Sequence, residues 1–321
     1  MKTLADLYNQ AASVVERPMS MDNSDETFGH QRVTIKSFAL RQATRDDFAG
    51  RPLSLNDYQI SRLCGLGATS WTLPLFNALF VEDFSDIAQW NDPARPDKYV
   101  PNVVGFFCVH LFTKKLLPIE IRLLDTNLAY TPFDTADDWT LAKMALEAAS
   151  VDFHQMQHMA ETHAVTIPLR VEMLRTMHAD HPVRALLLRH VFADFGLEKQ
   201  VAVLLLNTST GLDKTFGWGA SGSTRFLYHQ TQGVGISVKE KAFHADLRLR
   251  GLDHIPTHKY VAYGSRYWTA IENFVGQFVD VYYTADCDVR GDEELQHWAT
   301  ESSKIPHLRD FESSISTKLE L

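Results

Sequence analysis

Residues 139–165 read WTLAKMALEAASVDFHQMQHMAETHAV, and the way this run winds decides the fold. Neither Gly nor Pro interrupts the chain from the end of the turn at Thr131 to Asp138 as far as Pro168. Ala142, Ala145, Leu146, Ala149, Phe153 and Met156 recur at steps of three and four, the period of one buried helical face. A long core helix is therefore predicted. It carries the first three of six clustered histidines, His154, His158, His163, His178, His181 and His190, out of fourteen in the chain. Imidazoles crowded onto a buried helix suggest a metal.

The geometry leaves two pairings open. At 100° per residue, His154 and His158 sit about 40° apart and can grip one ion in the i, i+4 manner. His158 and His163 diverge by about 140° on a regular α-helix, so they share an ion only if a π-bulge widens the turn. Such distortions cost stability and gather at functional sites. Neutral imidazole suits Fe, Zn, Cu and Ni alike, so ligand type does not select the metal. The plainer alternative is that these rings satisfy backbone carbonyls within the core.

Outward from this helix the pattern changes. Leu75 to Ile87 and Val103 to Leu124 read as β: Phe106, Phe107, Val109 and Leu111 crowd together, and Leu117, Ile119, Ile121 and Leu123 alternate. Two or three strands of a small antiparallel sheet are expected. The first 60 residues look like helix and loop wrapping a core. Beyond Pro182 a second helix presents Leu186, Leu187, His190 and Val191 on one face. A third, Trp268 to Tyr283, has its apolar stripe at Ile271, Phe274, Val275, Phe278, Val279 and Tyr282. No repeat, low-complexity tract or linker divides the chain, so one domain over residues 1–321 is expected, mainly α with a small sheet.

With 321 residues and a net charge of -9, the composition is that of a globular, enzyme-sized protein. Basic residues form no run, which excludes nucleic acid and an anionic membrane surface as obvious partners. The first fifteen residues carry Asp6 and Asn9 where a signal peptide needs an apolar stretch, and no run approaches the roughly 20 apolar residues of a spanning helix. Cys64, Cys108 and Cys287 are odd in number, far apart and without a CxxC pair, which argues against a disulfide framework and a zinc ribbon and for a reducing, cytoplasmic compartment.

These residues resemble a known family. Trp139 to Lys143, Ala149, His154-Gln155, His158 to His163 with Ala164-Val165, His181-Pro182 and His190 look like the iron-binding signature of the lipoxygenases. The resemblance extends to Asp25–Arg32 (DETFGHQR), Leu79–Phe84 (LFVEDF), Leu117–Ile121, Tyr130–Pro132, Ala245–Gly251, Trp268–Ile271 through Tyr282-Tyr283, and Asp292–Trp298, in family order. It implies a helical lipoxygenase catalytic domain built on a long, π-bulged central helix. It also implies that His158 and His163 are the metal ligands and the metal is non-haem iron. His154 then becomes a neighbour of the site and a possible alternative ligand, displaced because three residues rather than four separate it from His158. Gln155 matches a polar position that lines the iron site. His181 and His190 match recurrent histidines that are not ligands.

The activity the resemblance implies is hydrogen abstraction from a bis-allylic methylene of a polyunsaturated fatty acid, then insertion of O2 to give a hydroperoxide. Leu186, Leu187, Leu204, Leu205 and Leu206 fall where the family's substrate-lining helices lie, and Asn207 and Thr208 fall near its oxygen pocket. Plain core is the alternative reading of each leucine. The family's N-terminal β-barrel has no counterpart here. Its later ligands, a third His, an Asn or His and a terminal Ile carboxylate, are not matched after Ile305 to Phe311. Two imidazoles alone hold iron incompletely, and His297, His307 and the Leu321 carboxylate read as surface groups. Three functions follow: an active iron dioxygenase completed by a second chain covering an open face, an inactive relative that binds lipid, or a different metal-dependent enzyme using His154 to His163.

Overall fold

The computed structural model describes residues 22–48, 50–164, 166–191, 200 and 203–321, and for Thr166 and His190 the backbone alone. The predicted sheet is present and larger than expected. β1 (Arg41–Gln42), β2 (Leu79–Phe84), β3 (Val103–Val109), β4 (Leu116–Leu123) and β5 (Leu128–Tyr130) run antiparallel in the order 1-2-3-4-5. Every residue of β3 is buried, because one face of the sheet meets the helices and the other meets the chain around Leu40, Leu55 and Ile60. α1 (Asp25–Arg32) lies against β4 so closely that a Cβ on Gly29 would fall 1.9 Å from the Leu116 carbonyl oxygen.

α2 (Asp57–Cys64) and the short α3 (Thr72–Leu75) precede β2. The expectation of a reducing environment without a disulfide framework meets one disulfide here, joining Cys64 and Cys108, with Cys287 free. The chain after β3 returns to the end of α2, with Leu111 N–H donating to Cys64 O at 2.8 Å, and this brings together cysteines 44 positions apart. A buried disulfide is a mark of oxidising compartments, so the cytoplasmic expectation loses its basis.

α4 (Ala136–His158) is the long helix read from the sequence. Thr135 caps it, its hydroxyl accepting from Asp138 N–H at 3.2 Å, and Asp137 and Asp138 complement the positive end of the helix dipole. Trp139, Ala142, Leu146, Ala149 and Met156 are buried in the core shared with the sheet. Gly105 on β3 makes this approach possible, for a Cβ there would meet Leu146 Cδ2 at 2.3 Å. Arg32, wholly buried, ties three elements together: it pairs with Glu82 on β2 and Glu147 on α4, each at 3.1 Å, and lies 3.7 Å over the Phe28 ring.

The helix does not end at His158. It widens into a π-helical stretch, Met159–Ala164, and resumes as α5 (Thr166–Thr176). Pro168 does not stop it, since a proline in the first turn removes an N–H that has no helical acceptor there. α6 (Pro182–His190), α7 (Gly211–Thr215) and α8 (Gly219–Tyr228) follow, and α8 runs into a second π-helical stretch, His229–Val234, in contact with the first. Then come β6 (Ile236–Ser237), α9 (Val238–Lys241), α10 (Phe243–Arg250), α11 (Lys259–Tyr282), α12 (Asp286–Gly291), α13 (Glu293–Ser302) and β7 (Leu308–Arg309), which pairs parallel with β6.

A second core joins Met173 of α5, Met177 just beyond its end, Val183 of α6, Val279 of α11, and Leu295 and Ala299 of α13. The stripe predicted for the third helix is only partly buried. Val279 is in the core and Val275 packs on it, whereas Ile271, Phe274 and Tyr282 are exposed. Among the described residues no helix is long and apolar enough to cross a membrane.

Candidate metal centre

The π-helical stretch answers which histidines meet. Residues five apart diverge on an α-helix, whereas in an i→i+5 turn they share a face. His158 Nε2 and His163 Nε2 accordingly stand 3.3 Å apart, with their rings nearly perpendicular. Thr162 Oγ1 lies 3.3 Å from His158 Nδ1. With Nδ1 protonated and donating to that hydroxyl, the His158 Nε2 lone pair points at its neighbour, the orientation commonly given to a metal-bound imidazole by its outer partner. Burial first, and the adjacent His163 second, hold the His158 pKa below the ordinary imidazole value, which keeps the ring neutral at neutral pH.

His154 is placed differently. Its Nδ1 donates to the Ser150 carbonyl oxygen at 2.6 Å, and its Nε2 accepts from Phe38 N–H at 3.1 Å. Both nitrogens are thereby used by the backbone, and burial pushes the ring's pKa down, which favours the neutral tautomer this arrangement needs. The i, i+4 pairing of His154 with His158 is not formed. Gln155 is half-buried beside it. The polar side chains near the turn are instead Gln157 and Glu161: Gln157 Nε2 donates to Glu161 Oε1 at 2.5 Å, and Lys241 of α9 pairs with the same oxygen at 2.6 Å. Nothing in the one-dimensional pattern marked Glu161, because its partner comes from a helix 80 positions later.

Of the other histidines of the cluster, His181 is structural and His178 peripheral. His181 caps α6, with Nδ1 accepting from Val183 N–H at 3.2 Å, while Nε2 lies 3.0 Å from Asp292, which also accepts from Tyr283 OH at 2.6 Å. His178 is exposed, and the His190 side chain lies outside the described residues. His297 is exposed beside Glu301.

Of the expected channel residues, Leu186 and Leu187 are half-buried and Leu187 packs on the second core. Leu204, Leu205, Asn207 and Thr208 are exposed, and Leu206 packs on the first core. A cavity of about 850 Å3 lies elsewhere, lined by Phe48, Leu53, Leu55, Trp71, Leu75 and Leu79, on the α2–α3 side of the sheet.

The donor set of the paired imidazoles fits a first-row transition metal. Two nitrogens 3.3 Å apart can both reach one ion at metal–nitrogen distances of about 2.1 Å. Among the described residues, no group of three or more His, Cys, Asp and Glu converges to hold an ion. Met156, Met159 and Ala160 of the same stretch are buried, whereas Gln157, Glu161 and Thr162 line its polar side.

On the α8 side, Asp152 Oδ2 accepts from Trp218 N–H at 2.8 Å. Burial pushes the Asp152 carboxyl up to about 6.

Comparison with known proteins converges on one family. The family model described as Lipoxygenase matches residues 125–320. A manganese lipoxygenase of Colletotrichum gloeosporioides (strain Cg-14) is 27% identical over 309 residues, covering 93% of this chain and 49% of its own length. The polyunsaturated fatty acid lipoxygenase ALOX15B of Rattus norvegicus is 30% identical over 215 residues, covering 62% of this chain and 32% of its own. In fold, the chain is similar to a calcium-dependent 11R-lipoxygenase, with a TM-score of 0.84 and 22% identity over 95% of this chain and 46% of that one. The chain thus spans about half the length of the manganese relative and a third of the rat enzyme.

Proposed function

The chain belongs to the lipoxygenase family, and from that premise we propose that it is a lipoxygenase-type dioxygenase acting on a polyunsaturated fatty acid, with His158 and His163 holding the metal. The observation that carries the reading is the pair of Nε2 atoms 3.3 Å apart on a π-helical turn inside the core helix. His158 and His163 would hold an iron or manganese ion, which would supply one-electron redox chemistry for hydrogen abstraction from a bis-allylic methylene, with O2 as co-substrate. Relatives named for manganese and for polyunsaturated fatty acids support that class of metal and substrate.

The chain's own residues do the positioning. The π turn aims both imidazoles at one point, Thr162 orients His158, and the buried Met156 and Met159 keep the helix side of the site dry. His154 fixes the helix against the backbone at Phe38, four residues before the first ligand.

A second reading, a family member that binds lipid without turnover, is favoured because no third His, Cys, Asp or Glu converges with the pair on one point among the described residues. Oxygen uptake and conjugated-diene absorbance with linoleate, after loading with Fe2+ or Mn2+, separate the two. The dioxygenase reading expects diene formation that His158→Ala abolishes. Metal-loaded protein that binds linoleate and forms no diene supports the second reading.

A further inference from the structure

The longest helix carries an apolar seam that no other described part of the chain covers. α11 rests on the second core through Val275 and Val279, and on Phe243 through Gly264 and Trp268. On the adjoining face, Tyr263, Tyr267, Ala270, Phe274, Gln277 and Val281 succeed one another at alternating steps of four and three. That is the a/d spacing of a two-stranded coiled coil. All six are exposed, Tyr267 at 72% and Val281 at 73%. A contiguous apolar strip of this kind marks an interaction surface.

The flanking charges choose the occupant. Arg266 and Asp280 are fourteen residues apart, two full heptads, so they border the same side of the seam. Both are exposed, and Asp280, although paired with Lys318, keeps 64% of its side-chain surface open. When a copy of the same helix lies antiparallel, equivalent flanks meet end to end, which sets Arg266 beside Asp280 of the partner subunit at both ends. The opposite flank, Gly264, Ile271 and Phe278, carries no charge. A parallel pair would juxtapose the two unlike flanks and leave both charges without partners.

The layers of the seam also agree with antiparallel pairing. Tyr263 faces Val281, Tyr267 faces Gln277, and Ala270 faces Phe274, each matching a large side chain with a smaller one.

We propose that α11 is the contact surface for a second copy of this chain, paired antiparallel about a two-fold axis near residues 272–273. The pairing requires no metal at His158 and stands apart from the catalytic reading. Sedimentation velocity on the full chain at micromolar concentration tests it. The expected species is twice the 36.4 kDa of one chain, and Phe274→Asp converts it to monomer. Arg266→Asp and Asp280→Arg each weaken the dimer by about tenfold or more in dissociation constant, and the two together restore it. The charge exchange decides the matter even if Phe274→Asp fails to fold. A monomer over the whole concentration range overturns the proposal, including one whose α11 face is covered by a different polypeptide. So does a doubly reversed variant no tighter than the single ones.

Discussion

An imidazole with both nitrogens committed to the backbone is a poor ligand, and at His154 the Ser150 carbonyl and the Phe38 N–H make that commitment. Replacing His154 by Ala leaves the Phe38 N–H and the Ser150 carbonyl without this partner and opens space beside Phe153. We expect a loss of about 1–3 kcal/mol in denaturant unfolding with bound metal unchanged; lost metal at unchanged stability would make His154 a ligand instead. The sequence showed that histidines cluster here and left two pairings open by helical period alone. The family resemblance selected His158 and His163, and the π turn supplies the physical reason. What was not legible was the fate of His154, because Phe38 stands 116 positions away. The buried Asp152, bonded to Trp218 N–H, was hidden for the same reason.

At the scale of elements, α11 begins at a pH-sensitive cap. His258 Nδ1 accepts from Val261 N–H at 3.3 Å, and burial, with Arg250 adding to it, lowers the ring's pKa to about 4. A proton on Nδ1 removes the acceptor. The folded pKa lies below the ordinary 6.5, so this group's stabilisation is complete above pH 6.5 and is lost as pH falls toward 4. His258→Asn keeps a cap without the titration, so its melting temperature should fall less over that interval than the wild type's; parallel curves would remove His258 from the account. Sheet and helix meet at an equally specific point, Gly29. Gly29→Ala drives a methyl into the Leu116 carbonyl, and thermal unfolding should show a loss of about 2 kcal/mol or more. An unchanged midpoint would mean that α1 can shift. Periodicity located the central helix and the β segments, because their burial is one-sided or complete. It could not give the two-residue β6 and β7, too short to show a period, nor say that Ile271, Phe274 and Tyr282 of the α11 stripe are exposed, since an amphipathic pattern does not name what covers it.

For the whole molecule, the covalent link between α2 and β3 is the feature that composition misread. Three cysteines in odd number are compatible with one bond, and the β3 turn that creates it is a long-range contact. Thiol titration of the denatured, unreduced protein should find one reactive cysteine, Cys287, and three after reduction; three at the outset would refute the bond. Cys108→Ser should cost about 2–4 kcal/mol. The sheet, the central helix and the second core together hold the π turn, so the proposed metal site depends on the assembled fold and not on the motif alone. Whether His158 and His163 hold a metal is decided by metal per chain, measured by mass spectrometry after loading with Fe2+ or Mn2+ and removal of excess. Wild type and His154→Ala should retain the same metal content, and His158→Ala and His163→Ala should lose it. Metal retained at the wild-type level in His158→Ala, with the fold intact by circular dichroism, would contradict it.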